Sequence, residues 1–400
     1  MPNKITRQTF DEVMMPVYAP FDMLIKRGKG SYLYDDKGNK YIDFTSGIAV
    51  NCLGHCNKEV LDIINLQCKK LIHVSNLFAN DKTLSLAKCL IDNTDFDKVF
   101  FVNSGTEANE AALKLARRYA HDVYGDFKNE IISFNQSFHG RTFFSVCVGG
   151  QDKYSDGFGP KPKAITHIPF NDIKAFENTI TDNTCAVILE VVQGEGGIIK
   201  AHDDFLLKVR SLCTKHNALL IFDEVQTGIG RTGKLYAYQT TPVIPDIITS
   251  AKGLASGLPI GAILAKDEVA SHFSKGTHGS TFGGSALACA VGEFIVNKVS
   301  NKNFLRAIKV RHDLFVDTLN EISKRTNKIS EIRAYGLLIG IDVTHDLKEK
   351  IPSLIKTCAS RGLLLLSAGH NTIRIAPALN IEKKTILEGL AILEEELNAL

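Results

Sequence analysis

Short runs of apolar, β-branched and aromatic residues alternate through the middle of the chain with stretches whose apolar positions recur every three to four residues. The runs DKVFFV (Asp97 to Val102), EIISF (Glu130 to Phe134), AVILE (Ala186 to Glu190), ALLIFDE (Ala218 to Glu224) and DIITS (Asp246 to Ser250) predict buried parallel strands. Between them, Glu107 to Ala120 sets Ala111, Leu115 and Tyr119 on one helical face, and Asp203 to His216 does the same with Leu206, Val209 and Cys213. No internal repeat or low-complexity tract interrupts this order. The alternation predicts an α/β fold, in which each strand-to-helix crossover leaves a loop at the carboxyl edge of the sheet, where open α/β sheets bind ligands.

The pattern changes near residue 297. A charged amphipathic helix (Asn303 to Lys324) precedes shorter strands in IRAYGLLIGIDV and NTIRIA, and a helix from Ile381 to Leu397 closes the chain. Near the start, GSYLYDDKGNKYIDF predicts a hairpin turning at Asp36-Lys37-Gly38-Asn39. The expected division is an N-terminal arm over 1–50 that belongs to a small domain, a large domain over 51–296 and a small α+β domain over 297–400.

A chain of 400 residues, at about 150 per domain, can bury a sizeable core and needs no disulfide framework. Hydrophobic residues make up 44% and charged residues 23%, and 47 Lys plus Arg against 44 Asp plus Glu leave a net charge of +3. Basic residues gather only as doublets such as Lys69–Lys70 and Arg117–Arg118, so nucleic acid and anionic membranes are not expected partners. The nine cysteines form no close-paired framework and are expected to be reduced, as in a cytoplasmic protein. Cys52, His55 and Cys56 lack a second pair at zinc spacing, so no metal site is expected. The first twenty residues mix Lys4, Arg7, Asp11 and Glu12 without an apolar core, unlike a secretory signal, and no apolar run approaches the ~20 residues of a membrane span.

Three features after the predicted strands carry chemistry. Ser104-Gly105-Thr106-Glu107 opens a helix with the spacing of a capping box; the same turn offers free N–H groups and a hydroxyl, which suit a phosphate. Asp223 ends a strongly apolar strand, either as a loop cap or as a carboxylate opposite a cationic ring nitrogen. Lys252 follows a strand among small residues, either solvated or desolvated enough to act as a Schiff-base nucleophile. TGIGRTG is a glycine-shaped loop without the spacing of a dinucleotide fingerprint. Taken in this order, a phosphate cradle, a ring-nitrogen carboxylate and a strand-end lysine specify a pyridoxal phosphate site far better than any one does.

In YIDFTSGIAVNCLGH, HVSNLF, NSGTEANEAALKLAR, FHGRT, QGEGGI, FDEVQTGIGRTGKLYAY, SAKGLASGLPIGA, HGSTFGG and IRIAPAL the chain resembles the class III pyridoxal phosphate aminotransferases over nearly its full length. The resemblance implies the fold type I, aspartate-aminotransferase-like architecture: a large domain with a seven-stranded, mostly parallel sheet, a smaller α+β domain, and a homodimer with both active sites at its interface. It implies that Lys252 holds pyridoxal 5′-phosphate covalently and then moves the proton between substrate Cα and cofactor C4′. Asp223 would pair with the pyridinium nitrogen, Gln226 would approach the ring hydroxyl, Phe138 would stack on the ring, and Gly105 and Thr106 would bind the phosphate. Thr281 would reach the phosphate of the neighbouring subunit, and Ser280 would lie beside the substrate. Arg141 and Arg374 would read substrate carboxylates, Arg374 that of the α-carbon, with Glu195 pairing with Arg374 when no dicarboxylate is present.

The implied reaction moves the terminal amino group between an acylated ornithine and 2-oxoglutarate, in arginine biosynthesis. Ornithine, succinylornithine, N-succinyl-diaminopimelate and 4-aminobutyrate are alternative donors. Decarboxylation or internal amino migration on the same fold would not need two carboxylate arginines, and a binding-only scaffold would not need Lys252. Three departures from the family pattern are Val191 for proline before VQGEGG, Asn57-Lys58 for His-Pro, and Ser285-Ala286 for Asn-Pro. Loss of proline there is expected to loosen the loops and alter the helix start after Gly284.

Overall fold

The computed structural model describes residues 5–369 and 371–400, so the first four residues of the expected N-terminal arm lie outside it. The predicted hairpin is present within a meander of β1 (Ile25–Lys29), β2 (Tyr32–Asp35) and β3 (Lys40–Asp43). Its turn is held by Asp35, whose carboxylate accepts N–H bonds from Lys37 and Asn39, while Gly38 takes a φ of +87°.

The central sheet comprises β4 (Lys98–Val102), β5 (Glu130–Phe134), β6 (Ile165–Ile168) and β7 (Thr184–Leu189). After a short ribbon of β8 (Val192–Gln193) and β9 (Ile199–Lys200), it adds β10 (Leu219–Asp223), β11 (Ile247–Ser250) and β12 (Gly261–Ala265). Its order is β4-β12-β11-β10-β7-β5-β6. β12 runs antiparallel to both neighbours, and the others are parallel. The five runs singled out as strands are all here. β6 and β12 complete the sheet and were not singled out, because GAILA follows directly on a glycine-rich loop that dominates its local pattern.

The near-continuous apolar character of these strands follows from burial on both faces. Ile131, Ile188, Ile221 and Ile247 face the helix Gly105–Tyr124, which presents Ala108, Ala111, Ala112 and Leu115. Ile132, Leu189, Phe222 and Ile248 face the opposite layer, where the helix Asp203–Lys215 buries Phe205, Leu206 and Val209.

The C-terminal strands β13 (Ile329–Tyr335), β14 (Leu338–Val343), β16 (Leu366–Ala368) and β17 (Thr372–Ile375) make an antiparallel sheet of order β13-β14-β17-β16. Between them in sequence, β15 (Leu363–Leu364) pairs parallel with β3, joining the N-terminal meander to the C-terminal segment. The helices Lys302–Thr326 and Lys383–Asn398 lie alongside, linked by Arg325 and Glu394.

At two of the three departures the residue just ahead of the missing proline supplies a helix cap. Asn57 accepts N–H bonds from Glu59 and Val60 and starts the helix Lys58–Cys68, and Ser285 accepts from Ala288 at the start of Ala286–Val299. Those helices begin on time without a preset φ. Among the described residues, no helix is long and apolar enough to cross a membrane.

Candidate active site

The carboxyl ends of β4, β5, β7, β10 and β11 converge on one cavity of about 390 Å³. Ser104, Gly105 and Thr106 line it from the turn after β4, Phe138, His139 and Arg141 from beyond β5, and Glu190 from the end of β7. Asp223 and Gln226 enter from β10 and Lys252 from β11.

Ser104 caps the helix, its hydroxyl accepting the Glu107 N–H at 3.3 Å. The reciprocal arm of the predicted box goes one residue further back, because Glu107 accepts from the Asn103 N–H at 2.6 Å and from its side-chain amide at 2.9 Å. The first turn therefore keeps the Gly105 and Thr106 N–H groups at its open end. A Cβ on Gly105 would lie 2.6 Å from Val225 Cγ1, so only glycine lets Val225 close the cavity wall. Gly140, at φ +125°, leaves space for the Thr106 hydroxyl, which a Cβ there would meet at 2.1 Å.

Asp223 is buried at the sheet edge. Its Oδ2 meets His139 Nδ1 at 2.9 Å and the Asn109 amide at 2.7 Å, and its Oδ1 accepts the Val225 N–H at 3.0 Å. Burial alone would raise its pKa, but the bond and charge of His139, with the two amide donors, hold it below the ordinary carboxylate value. Glu190 has no such cation bonded to it. Among the described residues its oxygens accept only the Phe138 and Gly194 N–H groups, and burial pushes it up to about 7. His139 Nε2 and Asn109 Oδ1 are buried without a hydrogen-bond partner among the described residues. Lys252 follows Ala251 with a left-handed φ of 45°. Burial lowers its pKa, opposed by Glu195 and Asp223 and reinforced by Arg374.

Arg374, on β17, is 4% exposed and donates to Glu195, with the Gln226 side chain at 3.3 Å and the Gly194 carbonyl at 3.4 Å. Burial works to raise the Glu195 pKa, yet the charge and bond of Arg374, together with the Lys252 charge and the Gln226 amide, leave it lowered. Arg141 is exposed at the cavity mouth, 4.1 Å above the Tyr154 ring and 5.8 Å from that of Phe138. Ser280 accepts the Gly283 N–H at 2.9 Å and lies 3.3 Å from Asn103, while Thr281 is exposed; neither lines the cavity of this chain. The cysteine–histidine cluster is dispersed into other bonds: His55 pairs with Asp43 at 2.7 Å and Cys52 donates to the Gly253 carbonyl.

Val50 reaches the cavity from a turn in which Ser46, Gly47, Ile48 and Ala49 all have φ between 44° and 67°. Three of these four are not glycine, at roughly 1–2 kcal/mol each. Asp43, accepting from the Thr45 and Ser46 N–H groups, and the Ser46 hydroxyl, donating to the Ala376 carbonyl at 2.6 Å, hold the turn in place.

The family model described as Aminotransferase class-III matches residues 13–397. The chain belongs to this family. An acetylornithine aminotransferase of Shewanella oneidensis is 51% identical over 98% of this chain and 96% of its own length. An acetylornithine/succinyldiaminopimelate aminotransferase of Yersinia pestis is 49% identical over 98% and 96%. The crystal structure of N-acetylornithine aminotransferase from Stenotrophomonas maltophilia has a TM-score of 0.85 at 34% identity, covering 96% of this chain and 97% of that one. This class III aminotransferase therefore has the fold type I architecture and is a pyridoxal-5′-phosphate-dependent transaminase.

The cavity suits that cofactor on its own chemistry. A helix N-terminus fits a phosphate, the glycine-relieved wall at Val225 and the Phe138 side chain leave space for a flat ring, and a buried anion answers a cationic nitrogen. His139, Asn109, Glu190 and Val225 were missed in the sequence. Glu190 carried the same signal that singled out Asp223, a carboxylate ending an apolar run.

Proposed function

We propose that this aminotransferase interconverts N2-acetylornithine and its semialdehyde with 2-oxoglutarate and glutamate as the amino-group exchange pair, in arginine biosynthesis. The buried Arg374 neutralised by Glu195 carries the reading. The terminal amino group of an acylated ornithine has no carboxylate on its own carbon, whereas that of glutamate does. A guanidinium masked by a movable carboxylate serves both partners in turn: Glu195 covers it for the first and yields it to the α-carboxylate of the second. Arg141, at the mouth, takes the remaining carboxylate, where a planar guanidinium binds in bidentate fashion.

When bound, pyridoxal 5′-phosphate supplies the electron sink. The chain's residues supply the rest. Gly105 and Thr106 would hold the phosphate, Phe138 and Val225 would bound the space for the ring, Asp223 would keep the proton on the ring nitrogen, and Gln226 would serve the ring hydroxyl. Lys252, its pKa lowered by burial, gives up its own proton more readily than an exposed lysine, as a group that takes the proton from the carbon carrying the amino group must.

The proposed domain division is the arm over 1–50, the large unit over 51–296 and the small unit over 297–400. We also propose a cytoplasmic homodimer. Thr281 stands exposed beside Phe282, which is 62% exposed, and Leu77 is 88% exposed on the same face of the HVSNLF and HGSTFGG segments, which Asn76 ties together through the Ser280 and Gly283 carbonyls. A second copy covering this face buries those side chains and brings Thr281 and Ser280 towards its neighbour's cavity. Sedimentation at assay concentration should give twice the 43.9 kDa chain mass, and a monomer with full activity would defeat this reading.

The Yersinia relative's double name supports a second donor, N-succinyl-diaminopimelate, on the same site. Glutamate formation from 2-oxoglutarate with acetylornithine, succinylornithine, N-succinyl-diaminopimelate, ornithine and 4-aminobutyrate tests both. Acetylornithine should give the highest kcat/KM, and a ranking led by ornithine or 4-aminobutyrate would overturn the assignment. In the same assay Glu195→Gln should lower the KM for 2-oxoglutarate severalfold, because Arg374 no longer has to exchange one anion for another; an unchanged KM would remove Glu195 from that role.

A further inference from the structure

Of the two arginines that would read substrate carboxylates, only Arg374 is held by an anion. Arg141 is anchored through its backbone, whose N–H donates to Thr106 Oγ1 at 3.2 Å, but among the described residues its guanidinium makes neither an ion pair nor a hydrogen bond. It lies instead over the ring of Tyr154, 4.1 Å from the centroid. That ring meets Phe138 edge to face at 5.6 Å, and the Lys153 ammonium is 4.8 Å from it. Among the described residues the Tyr154 hydroxyl has no hydrogen-bond partner, so the ring alone is engaged.

Tyr154 is a half-buried side chain on a tethered turn. It ends the turn Asp152–Tyr154, and its N–H donates to the Gln151 carbonyl at 3.1 Å. Gln151 is buried, and its side-chain amide donates to the carbonyls of Gln136 at 3.1 Å and Ser137 at 3.4 Å, in the segment that leads into Phe138. The Gln136 N–H donates in turn to the Gly150 carbonyl at 2.9 Å. The ring, Phe138 and Arg141 thereby share one frame at the mouth of the cavity.

A carboxylate and a ring face hold a guanidinium differently. A carboxylate takes up N–H donors, as Glu195 does on Arg374, and has to be displaced before a substrate carboxylate binds. The negative face of an aromatic ring attracts the cation and leaves those donors free. The two substrates make the distinction matter. Each carries a carboxylate away from the carbon that bears the amino group, so Arg141 serves both half-reactions and gains nothing from a mask.

We infer that Tyr154 is a positioning residue that holds the Arg141 guanidinium over its ring with the donors open, and so sets the affinity for the carboxylate common to both substrates. This rests on the reading of Arg141 as a carboxylate reader in the proposed function. Glu195 acts on the two substrates differently, whereas the ring acts on both alike.

The test is steady-state kinetics of the full-length holoenzyme at saturating cofactor, together with the Kd for glutarate, a dicarboxylate that cannot react. Tyr154→Leu should raise the KM for N-acetylornithine, the KM for 2-oxoglutarate and the Kd for glutarate each about fivefold, with kcat within about twofold of wild type. Tyr154→Gln should do the same should the leucine variant fold poorly. Tyr154→Phe should match wild type, because the ring remains. Arg141→Met should raise all three constants, and adding Tyr154→Leu to it should raise none of them further, since no guanidinium is left to place. Affinity for pyridoxal 5′-phosphate should be unchanged in Tyr154→Leu, which excludes an effect passed through Phe138. Constants unchanged in Tyr154→Leu but raised in Arg141→Met would overturn the inference. So would a loss shared by Tyr154→Phe, a loss carried by kcat or by cofactor affinity, or a full effect of Tyr154→Leu in the Arg141→Met background. Unchanged constants in Arg141→Met would instead reject the carboxylate reading on which the inference rests.

Discussion

Lys252→Ala should reduce transamination by about 10⁴-fold or more, since it removes both the covalent attachment point and the group that moves the proton. The same variant should melt no lower than wild type. Burial holds the Lys252 pKa below its ordinary value, which means that the folded state disfavours the ammonium relative to the unfolded chain. Removing it at neutral pH relieves that cost, and alanine at φ 45° carries no more backbone strain than lysine does. A lysine kept for stability would behave in the opposite way. Borohydride reduction followed by peptide mapping should mark the peptide containing residue 252 in wild type. Turnover above a tenth of wild type, or a label on another lysine, would remove Lys252 from its place in the reaction.

The parts of this site that were legible in the sequence are those whose local setting was anomalous. Asp223 ended a run of apolar residues, Lys252 stood alone among small ones, and Thr106 followed a helix cap. The surrounding network had no such mark. Asn109 sits within a helix, where an amide is ordinary, and reaches Asp223 across 114 residues of sequence. His139 was visible in FHGRT, but nothing local indicates that its ring turns inward to Asp223. The pairing of Glu195 with Arg374 spans 179 residues and depends on the antiparallel C-terminal sheet bringing β17 against the β8–β9 ribbon region. Family resemblance supplied that pair, where periodicity could not. The left-handed turn at Ser46–Ala49 is the clearest case of tertiary override: with one glycine among its four residues, local propensity argues against it, and contacts to Asp43 and Ala376 decide it.

Asp223→Asn should slow the proton-transfer step by about 10²–10³-fold, as the anion that holds the ring nitrogen's proton becomes a neutral amide. The hydrogen-bond inventory limits how the asparagine can sit. His139 and Asn109 both meet Oδ2, so the amide oxygen has to occupy that position, which turns the amide NH2 towards the Val225 N–H that Oδ1 now accepts. Two donors then face each other, at about 1–3 kcal/mol. The pH dependence separates this structural cost from the catalytic one. The folded-state pKa of Asp223 lies below its ordinary 3.8, so the ionised carboxylate adds stability above that pH and loses it as pH falls through the folded value. The melting difference between wild type and variant should therefore be largest near neutral pH and shrink below about pH 4. The kinetic defect should persist at pH 7 in single-turnover measurements with saturating cofactor. Equal single-turnover rates would reduce Asp223 to a loop cap. A melting difference that grows towards acid would show that the His139 contact does not stabilise the carboxylate in the folded chain.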